Sequence, residues 1–327
     1  MRILLPLLFC GALLAQQPAV IGVRDFSHSV EDLDKSVKFY KDVFGLELSR
    51  PPADLPDAGV AALVSAPGIH LRMAEFKMPG ENFGLELTQF SGPQRKGGVP
   101  EQFWPEHVYP GAVDLQLKVR DMNTVFGALV MANARIITRA GQPVKIGPDR
   151  KIRSILVRDP DGYILNVIDT PPAAGAPASL VYGAAMGVTV WDLDKTRTFY
   201  HDMLGFDFTP NTEFSDDKAI LDMVGAANAA VQYREMSTKV PGTTAQIDFY
   251  EYKNIPRRTF HLHVYDPGAP ALVLRVNDLA SVVKRLKAIG TPIVSAKGEI
   301  VQFPPTTRSI FVTDPNGLNL ELYDSKQ

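Results

Sequence analysis

The chain has 327 residues, 45% of them apolar and 21% charged, with a formal net charge of −2. That composition describes a globular protein, and the near-neutral charge removes any electrostatic case for binding nucleic acid or an anionic membrane surface. The single cysteine, Cys10, lies in the N-terminal segment, so the remainder has no disulfide, cysteine nucleophile or thiolate metal site.

The chain opens "MRILLPLLFCGALLAQQ": one basic residue, Arg2, an apolar run from Ile3 to Leu14, then Ala15 and two glutamines. This layout predicts a secretory signal peptide over residues 1–15, cleaved after Ala15, and hence a secreted or periplasmic protein. The run is too short to span a bilayer, and bulky Phe9 disfavours a lipid anchor at Cys10. After cleavage no membrane association is expected, and the remaining length suits two domains as a monomer or homodimer.

Next comes a repeated unit. "VEDLDKSVKFYKDVFGLEL" begins at Val30 and "VWDLDKTRTFYHDMLGFDF" aligns with it without gaps from Val190. Shorter echoes begin at Val119, "VRDMNTVFGALVMANARII", and at Val276, "VNDLASVVKRLKAIGTPIV". "RSILVRDPDG" at Arg153 answers "RSIFVTDPNG" at Arg308, and "HVYPGA" at His107 answers "HVYDPGA" at His263. Each copy leads from a short apolar strand into an aspartate, at 32, 121, 192 or 278, whose carboxylate suits an N-cap. Apolar residues then recur at helical spacing, as in Leu279, Val282, Val283 and Leu286. Gly45, Asn133, Gly205 and Gly290 tolerate the left-handed conformation that ends a helix. DPDG and DPNG predict turns into the strands "YILNVID" and "LNLELYD". The unit is βαβββ, present four times.

Between the second and third copies, "DTPPAAGAPAS" from Asp169 to Ser179 is rich in Pro and Ala. It predicts a linker over residues 171–179 between a first domain, 20–170, and a second, 180–327. Each half is expected to fold its two units into its own cupped sheet, an α+β architecture.

These motifs resemble the vicinal oxygen chelate superfamily, which includes glyoxalase, bleomycin-resistance and dioxygenase proteins. The resemblance covers nearly the whole mature chain and implies that pairs of βαβββ units form cupped sheets whose concave face holds a metal or ligand. It also implies ligand positions. Five residues before the V of V-x-D-L stand Asp25, Asp114, Ala185 and Ala271; the last strands supply Glu86, Asn166, Asp248 and Glu321. The first half thus offers Asp25, Glu86, Asp114 and Asn166, an all-oxygen set suited to Mn, Mg or Ca rather than Zn or Fe. The second half keeps only Asp248 and Glu321, and no cation is expected there. Neither the two-His, one-carboxylate site of an extradiol dioxygenase nor the mixed site of a glyoxalase I is intact.

The histidines are read separately. His28 falls on the strand face opposite Asp25 and reads as structural. His107 and His263 reach either the cleft mouth or their own loops, and His261 shares a strand face with His263. Arg153 and Arg308 either meet an anionic ligand near the cleft or are exposed strand charges. Three functional readings stand: a lyase- or dioxygenase-type enzyme with an altered metal site, a metal-free small-molecule binding protein of resistance type, and a non-catalytic scaffold.

Overall fold

A computed structural model describes residues 18–93, 104–209, 213–226, 230–258 and 262–325. The expected signal peptide with Cys10, and also His261, lie outside these residues.

The first unit comprises β1 (Val20–Ser29), α1 (Leu33–Phe44), β2 (Leu48–Asp54), α2 (Asp57–Leu63), β3 (His70–Lys77) and β4 (Gly84–Ser91). The second runs β5 (Val113–Val119), α3 (Met122–Met131), β6 (Arg135–Ile136), β7 (Val144–Ile146), β8 (Ile152–Arg158) and β9 (Ile164–Asp169). The third has β10 (Val181–Val190), α4 (Leu193–Phe199), α5 (Lys218–Met223), β11 (Gln232–Lys239) and β12 (Gln246–Lys253). The fourth has β13 (Pro270–Val276), α6 (Leu279–Ala288), β14 (Val301–Phe303), β15 (Thr307–Thr313) and β16 (Asn319–Ser325).

The capping pattern read from the sequence is realised. Asp32, Asp121, Asp192 and Asp278 each accept from backbone N–H groups of the first turn of α1, α3, α4 and α6. Gly45, Asn133, Gly205 and Gly290 all have positive φ. Two features were not read. α2 and α5 sit between strands of their units, and α4 continues through a π turn over Tyr200–Leu204.

The way the units combine departs from the expectation. One eight-stranded sheet runs β14-β15-β16-β13-β1-β4-β3-β2, uniting the first unit with the fourth. The other runs β11-β12-β10-β5-β9-β8-β6, with β7 paired to β8, uniting the second with the third. The seams are antiparallel, β1 on β13 and β5 on β10. Neither half therefore owns a sheet. The reason lies in the connections. The short linker, residues 170–180, only carries the chain from β9 past β5 to β10 in the same sheet, whereas β4 and β5, and again β12 and β13, are consecutive strands that belong to different sheets.

The two units of each half, which lie in different sheets, meet instead through the DPDG and DPNG turns. Asp159 of DPDG accepts from Tyr40 (3.0 Å) and pairs with His28 (2.9 Å), while Asp161 accepts from Ser36 and from the Glu31 N–H. Asp314 of DPNG likewise accepts from Tyr200, and Asn316 binds the Trp191 N–H through its side-chain oxygen. His28 also stacks on Tyr163 at 4.1 Å, which fits its structural reading. The main core, including Phe26, Leu33, Leu115, Tyr200 and Leu274, joins the helices to one face of each sheet. Each such buried side chain contributes about 1.5–3 kcal/mol. The opposite, concave faces carry separate apolar clusters, one on each sheet.

Candidate functional site

Because side chains alternate along a strand, Asp25, Ser27 and Ser29 of β1 face one way and Phe26 and His28 the other. Glu86 and Thr88 of β4, Ala271 of β13, Ser309 of β15 and Glu321 of β16 line the same concave face, around a cavity of about 420 Å³. Val60, Leu63, Leu71, Met73, Phe303 and Phe311 form most of its apolar wall, with α2 and β14 contributing. The floor is polar. Ser27 donates to Glu86 (2.9 Å) and Ser309 to Glu321 (2.7 Å).

A residue absent from the sequence-derived site stands at the centre of this floor. Arg24 donates from Nε to Asp25 at 2.7 Å; its Nη2 lies 3.4 Å from Glu86 and 3.8 Å from Glu321. Strict alternation would send Arg24 to the face opposite Asp25. The β1–β13 register instead slips between Val23 and Asp25, where Val23 opposes Leu274 and Asp25 opposes Val273. Arg24 is the extra residue of this bulge, and the bulge turns its side chain toward its neighbour's carboxylate. Its guanidinium also lies over the Tyr323 ring, 5.2 Å from the centroid.

This crowding sets the protonation of the floor. Burial, with the Asp25 and Glu321 charges, outweighs Arg24 and Ser27 and pushes Glu86 up to about 8. Burial likewise raises Asp25 to about 6 against the pull of Arg24. For Arg24, burial acts downward, but Glu321, Glu86 and Asp25 together hold the guanidinium above its ordinary value. Asp25 is fully buried, and its Oδ1 has no hydrogen-bond partner.

The four residues expected to form one oxygen site are not brought together. Asp25 and Glu86 share the first sheet with Ala271 and Glu321; Asp114 and Asn166 lie in the second with Ala185 and Asp248. The expected contrast between an intact first half and a depleted second half therefore dissolves, since each sheet draws on both halves.

In the second sheet the equivalent positions are engaged locally. His107 Nε2 pairs with Asp114 at 3.1 Å, both groups being buried. Gln116 donates to Asp248 (3.0 Å) and to the Tyr250 hydroxyl (2.8 Å), while Ser154 donates to Asn166 (2.7 Å). Leu156, Ile164, Val231 and Tyr252 form an apolar cluster on this face, with Tyr233 and Tyr250 packed against it.

The remaining candidates separate cleanly. His263 is largely exposed, pairs with Asp266 at 3.1 Å and stacks on Tyr265. Arg153 and Arg308 do not enter the cleft. Ser309 and Phe311 line it, so Arg308 points away and pairs with Asp324 (Nε, 2.8 Å), as Arg153 does with Asp169 (Nε, 3.1 Å).

The first sheet's floor does not suit the divalent ion that the fold family implies. Among the described residues, no group of three or more His, Cys, Asp or Glu side chains is arranged to hold a metal. The three carboxylates of this floor already converge on a fixed positive charge, and no imidazole joins them.

Residues 184–322 match the family model "Glyoxalase/Bleomycin resistance protein/Dioxygenase superfamily", and residues 25–57 match "Bleomycin resistance protein-like N-terminal". A lactoylglutathione lyase of Arabidopsis thaliana is 26% identical over 209 residues, 62% of each chain, and one of Oryza sativa 24% over 201 residues. The match thus spans 62% of this chain and about 60% of these relatives. Among solved structures, glyoxalase I from Zea mays superposes with a TM-score of 0.60 at 18% identity, covering 92% of both chains. A putative dioxygenase from Bacillus subtilis gives 0.56 at 14% identity, covering 95% of this chain and 87% of its own. With its two curled sheets and four βαβββ units the chain has the fold of these structures, and residues 184–322 carry a domain of the glyoxalase/bleomycin resistance/dioxygenase, or vicinal oxygen chelate, superfamily.

Proposed function

We propose that the concave face of the first sheet binds a small, largely apolar organic molecule without a resident metal ion, and that the second sheet is structural. One observation carries this reading: a cavity of about 420 Å³ with apolar walls over a floor of few, converging polar groups, the usual form of a small-molecule site. In the second sheet, aromatic side chains and the Asp114–His107 and Gln116–Asp248 contacts occupy the corresponding face.

A lyase- or dioxygenase-type activity, as named for the relatives, is the second reading. Glu86 favours it. A buried carboxyl that titrates near neutral pH at the floor of a cleft is suited to exchange a proton with a bound molecule.

The test is a thermal-shift screen of small organic compounds against the wild type and Ala271→Phe. Ala271 is buried on the cavity floor, and a phenyl ring there fills the space. Compounds that stabilise the wild type and not the variant support binding in this cavity. Hits that stabilise both equally place binding elsewhere. Turnover of lactoylglutathione-forming substrates by the wild type, lost in Glu86→Gln, would select the second reading. We also propose export through the N-terminal segment, tested by the mass of the protein from its native host, which should begin near Gln16.

A further inference from the structure

We propose that the Arg24 guanidinium is the resident cation of the first sheet's cleft, held in the seat that its three carboxylates would otherwise give a divalent metal ion. Asp25, Glu86 and Glu321 come from three different strands, yet all lie within 3.8 Å of this one side chain. Three buried or nearly buried carboxylates converging without a positive charge would repel one another strongly in a poorly solvated site. A cation among them relieves that repulsion, and the bulge at Arg24 supplies one covalently. Asp25 adds a second indication. It is fully buried, and its Oδ1, beside Gly84, has no hydrogen-bond partner, so Arg24 satisfies only one oxygen of this carboxylate. Removing the guanidinium leaves an anionic oxygen cluster with space at its centre, the donor set of a hard divalent cation.

The proposal does not depend on which molecule the cavity takes, and its test reads metal alone. Full-length wild type, Arg24→Ala, Arg24→Met, Arg24→Lys and Arg24→Ala/Glu86→Gln/Glu321→Gln are stripped with chelator. Each is then equilibrated with Mn²⁺ and assayed for bound metal and for a saturable rise in Tm. Arg24→Ala and Arg24→Met should each bind about one ion per chain and gain several degrees on saturation. The wild type, the charge-retaining Arg24→Lys and the triple variant should bind none. One ion per wild-type chain, lost in Glu86→Gln/Glu321→Gln, would overturn the proposal, and that arm stands even if the Arg24 variants fold poorly. Folded Arg24→Ala and Arg24→Met that take up no Mn²⁺ would overturn it as well.

Discussion

Arg24 Nη2 lies 3.8 Å from Glu321, so a residue near the start of the chain and one near its end meet on the floor of a single cleft. The contact spans the seam between the first and fourth units, β1 against β13, with β16 beside β13. Removing Arg24 leaves Asp25, Glu86 and Glu321 uncompensated. Because the Arg24 side chain is 41% exposed, the cost falls below that of a fully buried pair. We expect Arg24→Ala to lose about 1–3 kcal/mol in urea unfolding. Adding Glu321→Gln should recover part of that loss, because the second change removes one of the carboxylates that Arg24 had compensated. Additive losses in the double variant would show that the carboxylates do not interact through Arg24.

The raised Glu86 pKa predicts a pH dependence of definite sign. In the unfolded chain the group titrates at its ordinary value of 4.5, and in the folded cleft at about 8. Between these values the folded state holds the proton and the unfolded state does not. The stability this contributes is complete below pH 4.5 and is lost as pH rises through 8. Relative to Glu86→Gln, which stays neutral throughout, the wild type should weaken steadily from about pH 5 to 8 and then level off. Urea titrations of both proteins across that range check the slope; a difference that is flat with pH refutes the assignment.

Much of the scaffold was legible because local physics writes it into the chain. Asp32, Asp121, Asp192 and Asp278 mark helix starts since an N-cap needs a short side-chain acceptor at one position. The partnering of units was not legible. Four copies of one unit present equivalent first strands, and the repeat contains nothing to say whether β1 lies beside β5 or β13. Connection length held the clue, because the short linker keeps β9 and β10 in one sheet. The site was half legible. Glu86, Asp25 and Glu321 were found by register, but Arg24 was missed because a bulge breaks the alternation that register reasoning assumes. The roles of Asp159 and Asp161 were missed for another reason. A DPDG turn reads as local punctuation, whereas these side chains are buried against His28, Tyr40 and Ser36 of the preceding unit.

In the second sheet, His107 and Asp114 form a buried pair at 3.1 Å. Removing the imidazole strands a carboxylate that is 1% exposed and already has one oxygen without a partner. His107→Ala should therefore cost about 3–5 kcal/mol, the range for breaking a buried pair from one side. His107→Ala/Asp114→Ala should cost less than the sum of the two single changes. Neither change should alter ligand binding at the first sheet's cavity. Loss of that binding in a folded His107→Ala protein would contradict the structural assignment of this sheet.

Close packing over Asp114 gives a last test of whether the second sheet has any room for a ligand. Gly187 of β10 lies opposite Asp114 in the β5–β10 ladder. A Cβ at 187 would stand 2.0 Å from Asp114 Oδ2 and 2.8 Å from the Tyr250 ring. Neither neighbour can give way freely. The Asp114 carboxylate is tied to His107, and the Tyr250 hydroxyl accepts from Gln116. Gly187→Ala should thus lose at least about 1–3 kcal/mol, the usual cost of overpacking, with the His107–Asp114 contact broken in addition. Gly183, on the same strand, is the control. A Cβ there would meet Lys118 at 3.4 Å and Glu81 at 3.5 Å, both flexible side chains at ordinary contact distance. Gly183→Ala should change stability by no more than about 0.5 kcal/mol. Equal stabilities for the two variants in denaturant unfolding would mean that the face around Asp114 is open enough to accept a side chain, and the binding role would then have to be sought on both sheets.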